Sequence, residues 1–229
     1  MKLTLLDPYS DPHFPDVDWA LTEPDGLLAV GGELTPQWLL NAYRCGIFPW
    51  FNEGEPVMWW SPSERAVLEV NQYQPSRSLL KSIRKNQWQF KVNHNFAAVI
   101  DGCSGLRADQ LGSWITADMK QAYINLHQLG HAHSIEVYQD NALVGGLYGI
   151  LVGGVFCGES MFHKVTDASK AAFYCLNNIA KQAGIELIDG QIENPHLMSL
   201  GFNVLKRREF INRLNLLHSK KIKLADYFE

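Results

Sequence analysis

Hydrophobic and polar positions change period several times along the chain, and each change marks an element. Runs rich in β-branched and aromatic residues predict strands at Arg65–Val70, Trp88–Val92, Ala132–Gln139, Ala142–Leu151, Gly153–Glu159 and Glu186–Ile192. Helical spacing predicts helices over Ser76–Asn86, from about His94 to Cys103, over Thr116–Leu129, and from an opening near Asp167–Ser169. A short helix, a strand near Phe202–Leu205 and a last helix complete the pattern. Residues 1–62 read differently. They are mostly turns, broken at Glu23-Pro24-Asp25-Gly26 and at Gly31-Gly32, with one helix after Thr35-Pro36 that carries Trp38, Leu39, Leu40 and Tyr43 and stops at Gly46. Mixed strands with helices on their faces give an α+β (mixed α/β) sheet domain. The break near Ser61-Pro62-Ser63 divides the chain into a small N-terminal domain, 1–62, and a larger one, 63–229.

Composition supports a packed core, since 46% of the residues are hydrophobic and 19% charged, unlike a disordered chain. The 16 residues Leu143–Gly158 are rich in Gly and read as two strands rather than a membrane span. No targeting segment is evident at the start, and the four cysteines form no C-x-x-C pair, so a cytoplasmic protein with reduced thiols is expected. The net charge of −4 hides a gradient. Residues 1–62 carry two bases against nine acids, whereas 63–229 carry 18 bases against 15 acids. Two segments are strongly basic, Val70–Ile100 and Lys206–Lys223, which suits local binding of a polyanion.

The first basic segment has a definite geometry. On a helix, Arg77, Lys81, Arg84 and Lys85 share an arc of about 100°, while Leu79, Leu80 and Ile83 take the other side. Such a face either contacts nucleic-acid phosphates or is simply solvated. In a strand over Glu186–Ile192, Asp189 and Gln191 point the same way, placed either to hold a nucleophile or to bond a covering loop. Glu159 stands at the end of an apolar, Gly-rich strand pair. The surrounding Gly158-Glu159-Ser160-Met161-Phe162 is not a nucleophile elbow, because Phe162 replaces the required Gly. His127, His131 and His133 lack metal-ligand spacing and are expected to be structural. No G-x-G-x-x-G or G-x-x-x-x-G-K-[ST] loop indicates a nucleotide cofactor. Trp50, Trp59, Trp60 and Trp114 either line a pocket and stack on bases or seal a seam between domains.

Seven short motifs, in order, resemble the bacterial leucyl/phenylalanyl-tRNA–protein transferase family: Gly46-Ile47-Phe48-Pro49-Trp50-Phe51, Trp59-Trp60-Ser61-Pro62, Trp114-Ile115-Thr116, Gly130-His131-Ala132-His133-Ser134-Ile135-Glu136, Gly158-Glu159-Ser160-Met161-Phe162, Ala168-Ser169-Lys170 and Ile188-Asp189-Gly190-Gln191. The resemblance implies a small N-terminal domain followed by a GNAT-like acyltransferase domain with a central mixed sheet. It implies transfer of Leu, Phe or Met from aminoacyl-tRNA to proteins with N-terminal Arg or Lys, marking them for N-degron-dependent degradation. An aminoacyl ester is already activated, so no metal or other cofactor is required, and no membrane and a monomer are expected. By resemblance, Asp189, Gln191 and Glu159 sit at the reaction centre. Tyr43, Trp50, Trp114 and Tyr123 surround the tRNA 3′ adenosine and the site wall, Phe156 lines the apolar side-chain pocket, and Arg77, Lys81, Arg84 and Lys85 hold the acceptor stem. Two rival readings are a CoA-dependent GNAT N-acetyltransferase, disfavoured by the missing R/Q-x-x-G-x-G/A pyrophosphate loop, and a non-catalytic tRNA-binding adaptor.

Overall fold

The computed structural model describes residues 3–108 and 115–224. Its elements in chain order are β1 (Thr4–Leu6), β2 (Leu27–Gly31), α1 (Pro36–Arg44), β3 (Phe48–Pro49), β4 (Met58–Trp60), β5 (Glu64–Glu69), α2 (Arg77–Asn86), β6 (Gln89–Val92), α3 (Phe96–Ala108), α4 (Ala117–Gln128), β7 (Ala132–Gln139), β8 (Ala142–Val152), β9 (Val155–His163), α5 (Ala168–Ala183), β10 (Leu187–Gln191), α6 (Pro195–Ser199), β11 (Asn203–Lys206) and α7 (Arg207–Leu217). Helix starts follow local chemistry. Ser76 and Thr116 accept the backbone N–H of the residue three further on, and Pro36 occupies the first helical position of α1.

The strands form two sheets, ordered β1-β2-β4-β3 and β11-β5-β10-β9-β8-β7-β6. The first sheet is absent from the sequence reading, although most of residues 1–62 do lie in turns and loops as expected. Its strands are two to five residues long, too short to display an alternating pattern. In the second sheet only β9 and β10 run parallel, and the other neighbours are antiparallel. Helix α5 covers one face and carries α2 on its flank, while α3 and α4 cover the other. This is the mixed sheet with flanking helices that the sequence leads one to expect.

On the α3/α4 side the core is continuous between the sheets, joining Trp38, Tyr43 and Phe48 to Tyr123, Tyr148 and Phe210. Fully burying a Phe-sized side chain contributes about 1.5–3 kcal/mol, so this seam fixes α1 and β3 against the larger sheet. The α5 side is a separate cluster that includes Phe156, Phe173, Leu176, Ile188 and Phe202. The sheet is therefore a partition between two cores.

Candidate active site

The partition is interrupted where β9 and β10 part. Strands β9 and β10 pair from Leu187↔Val155 to Asp189↔Cys157, after which β9 continues along β8 as far as His163. Glu159 is thus within a strand rather than at its end, as the sequence suggests, because β8 keeps pairing with β9 up to Gly145↔His163. Both strands carry an irregularity at the same level. Tyr148 faces Ser160 and Gly149 faces Gly158, which leaves Glu159 as an extra residue. Likewise Asp189 faces Val67 and Gln191 faces Ala66, leaving Gly190 extra. Such bulges bend strands and re-aim side chains. Gly149 is required here, since a Cβ would lie 2.3 Å from the Cys157 carbonyl oxygen. The bulge also interrupts the regular alternation of Asp189 and Gln191, and Gln191 adopts φ +58°, a left-handed conformation costly for a non-glycine residue.

Six side chains converge at the opening. The Gln191 amide donates to Glu159 Oε1 at 3.0 Å, and the Tyr123 hydroxyl donates to Glu159 Oε2 at 2.8 Å. Tyr43 lies 2.7 Å from Tyr123; with Tyr123 already donating to the carboxylate, Tyr43 donates to Tyr123. Burial pushes Glu159 up to about 7, against the opposing pull of the Tyr43 and Tyr123 hydroxyls, with the Asp189 charge adding to the rise. Burial, then the charge of Glu159, also holds both tyrosines well above the usual phenol range, so they remain hydroxyl donors.

Asp189 is 0% exposed and Arg65 only 1%. Arg65 Nε and Nη2 donate to Oδ1 and Oδ2 at 2.8 and 2.7 Å, while the Gln191 N–H reaches Oδ1 at 2.9 Å. Arg65 Nη1 donates to the Gly46 carbonyl at 3.0 Å, and its guanidinium lies between the rings of Phe48 and Phe210. Asp189 therefore holds Gln191 in its strained conformation. Sequence reasoning missed Arg65. The available signal was a cation at the head of the apolar run Ala66-Val67-Leu68 in a predicted strand, where a buried cation requires a counter-charge.

Two cavities meet at this network. The first, of about 410 Å³, lies against the α5-side core, with Phe156, Phe173 and Ile188 among its walls. The second, of about 300 Å³, is bounded by Phe48, Pro49 and Trp50. They share Glu159, Gly190, Gln191 and Asn194. Asn194 also caps α6 by accepting from Leu197 N. Tyr43 and Tyr123 are buried behind the carboxylate rather than lining either cavity.

Trp50 is 43% exposed at the second cavity, whereas Trp59 and Trp60 are buried in the seam, their indole N–H groups donating to Gly31 and Trp50 carbonyls. Trp114 lies outside the described residues. Arg77, Lys81, Arg84 and Lys85 are exposed on α2 and appear in none of the ion pairs among the described residues. The second basic segment behaves otherwise: Lys206, Arg208, Arg213 and Lys220 pair with Glu64, Asp18, Glu69 and Glu186. Four of its seven bases are therefore paired within the molecule, unlike the cations of α2. His127 stacks on Phe96 and His133 contacts the Asn93 amide, both structural contacts. Among the described residues, no helix is long and apolar enough to cross a membrane.

Comparison with known proteins gives the family. A family model described as leucyl/phenylalanyl-tRNA protein transferase matches residues 67–215, and a model of that family's N-terminal domain matches residues 32–63. A protein of that name from Shewanella piezotolerans is 54% identical over 204 residues, covering 89% of this chain and 86% of the relative. Another, from Idiomarina loihiensis, is 54% identical over 217 residues, covering 95% and 92%. Among solved structures, FemX aligns with a TM-score of 0.51 at 10% identity over 75% of this chain and 66% of that chain, a likeness of fold alone. With both family models matched in order and relatives identical at more than half their aligned positions, the chain belongs to the leucyl/phenylalanyl-tRNA–protein transferase family.

Proposed function

We propose that this protein moves Leu, Phe or Met from aminoacyl-tRNA to the α-amine of proteins beginning with Arg or Lys, a product then read as an N-degron. The observation that carries this reading is the pair of cavities joined at Glu159 and Gln191. One apolar chamber suits the donor side chain, and a second chamber at the same carboxylate brings a second group to it. Holding two reactants in register supplies much of the acceleration for an ester that is already activated.

The chemistry follows from the network. The acceptor amine, with a pKa of about 8, loses its proton to Glu159, whose affinity for protons is raised to about 7. Two groups so closely matched exchange a proton at little cost. The amine nitrogen attacks the ester carbonyl carbon, the bond to the ribose oxygen breaks, and the proton on Glu159 passes to that leaving oxygen; the carboxylate so regenerated takes the second proton from the nitrogen as the amide forms and releases it to solvent. Gln191 positions the carboxylate, while Asp189 and Arg65 hold Gln191 through its backbone. Phe156 contacts the donor side chain, and the exposed Trp50 face stacks on the terminal base. The apolar chamber rejects charged side chains, but one methylene is worth only ~1–3 kcal/mol, so Met is tolerated beside Leu and Phe.

Incubation with radiolabelled Leu-tRNA is expected to label a peptide beginning with Arg and to leave the acetyl-Arg peptide, which lacks an α-amine, unlabelled. Label in neither peptide, with the protein folded, would defeat this reading. The exposed cations of α2 give a second expectation. Lys81→Ala combined with Arg84→Ala should raise the KM for tRNA and reduce the slope of log affinity against log salt by about 1–2, as expected for two lost phosphate contacts. An unaltered slope would remove α2 from the tRNA interface.

A further inference from the structure

The far rim of the first cavity carries chemistry that the transfer reaction does not use. His163 at the end of β9, Ser169 in the first turn of α5 and His196 on α6 converge there. The Ser169 hydroxyl lies 3.4 Å from His163 Nδ1, and His196 Nε2 lies 3.1 Å from the Met161 sulfur. Lys170 follows Ser169 in α5 and does not itself line the cavity, but it lies close enough to His196 to act on its charge. Burial, then the charges of Lys170 and His163, lowers the proton affinity of His196, which places all three groups in one electrostatic neighbourhood. The carboxylate next to this group is Asp167, 3.9 Å from Lys170 and too distant for a hydrogen bond.

We propose that Lys170, His163, Ser169 and His196 form a subsite for a backbone phosphate in the 3′ single strand of the aminoacyl-tRNA donor. The inference rests on the reaction proposed above. Three observations select a phosphate of the donor rather than part of the acceptor. First, the rim joins two imidazoles and a hydroxyl, with the Lys170 ammonium next to it, all donors to an anion, and the cationic terminus of an Arg or Lys acceptor would be repelled there. Second, the rim opens on the chamber proposed for the donor side chain, so donor and rim share a cavity. Third, His163 is four strand residues beyond Glu159, about 13 Å at the usual strand rise, a distance that a short 3′ tail spans from the reacting ester and a single nucleoside does not. The α2 cations would hold the body of the tRNA, and this rim would direct its end.

The test compares two synthetic donors, leucyl-adenosine, which has no phosphodiester, and leucyl-CCA trinucleotide, with the full-length enzyme and an Arg-initiated peptide. The native enzyme is expected to use the trinucleotide with the higher kcat/KM. In Lys170→Met the ratio of the two kcat/KM values should fall about ten-fold, the scale of one lost charged hydrogen bond, and Lys170→Arg should restore it. His196→Gln should lower the ratio in the same direction. A ratio that is unmoved in Lys170→Met, because both donors suffer equally or neither suffers, would overturn the subsite while leaving the reaction in place. Absence of transfer by the native enzyme from tRNA and from both short donors would overturn the reaction itself and the subsite with it.

Discussion

An Asp189→Ala variant is expected to lose about 3–5 kcal/mol of folding stability, because it leaves the Arg65 guanidinium buried without its counter-charge. For a chain of this size that is a fall of roughly 10 °C or more in Tm. The place at the reaction centre that the resemblance implies for Asp189 suggests a different outcome, loss of activity on an intact fold. Arg65 changes the expectation. It occupies both carboxylate oxygens and packs between Phe48 and Phe210, so the pair also joins the larger sheet to β3. A control separates the lost charge from the lost role. Replacing both partners with apolar residues, Arg65→Met with Asp189→Leu, should recover much of the stability, as is common for buried pairs. It should not recover transfer, because Gln191 loses the oxygen that accepts its N–H. Thermal unfolding and transfer rates on the same samples decide the matter. A single Asp189→Ala variant as stable as the native protein would show that the ion pair does not have the structural weight assigned to it.

The contrast between Asp189 and the α2 cations shows what a sequence can disclose. Helix α2 is legible because its capping serine, apolar stripe and basic arc all lie within eleven residues, Ser76–Asn86, and periodicity converts spacing directly into a face. The long strands β7 and β8 are legible for the same reason. Glu159, Asp189 and Gln191 stand out as residue types, and their coming together depends on the parallel pairing of β9 and β10, whose residues are some thirty positions apart. The two bulges are less legible still. A bulge depends on where the neighbouring strand places its hydrogen bonds, and the only local trace was the glycines at 149, 158 and 190. Arg65 pairs across 124 positions, so no local pattern identifies its partner. The four-stranded N-terminal sheet escaped because strands of two to five residues are too short to show a period. The ion-pair partners of the C-terminal basic segment escaped because they are distributed over Asp18, Glu64, Glu69 and Glu186. What was unreadable was long-range pairing, of strands and of charges.

Glu159→Gln is expected to lower transfer by about 10²-fold or more while preserving the fold, since the amide keeps an oxygen for Tyr123 but cannot take up a proton. The pH profile gives the sharper reading. In the native enzyme Glu159 titrates at about 7 and serves as a base only when ionised, so kcat/KM should rise as pH increases through that value. In the variant this inflection should disappear, leaving only the rise from the acceptor amine near about pH 8. Stability should change in the opposite direction. A carboxyl raised from 4.5 to about 7 on folding keeps a proton that the unfolded chain releases between those values. The native protein therefore loses stability as pH climbs through that window, and the loss is complete above the folded value. The glutamine variant escapes this loss, so its Tm relative to the native protein should increase from pH 4.5 to 7 and level off beyond. Two results would remove Glu159 from the role of base: activity within threefold of native, or a variant whose profile still breaks near pH 7. The stability curve would then show whether the raised proton affinity is real but unused, because a variant whose relative Tm stayed flat across that window would place the carboxylate in a more solvated setting than its bonds to Tyr123 and Gln191 imply.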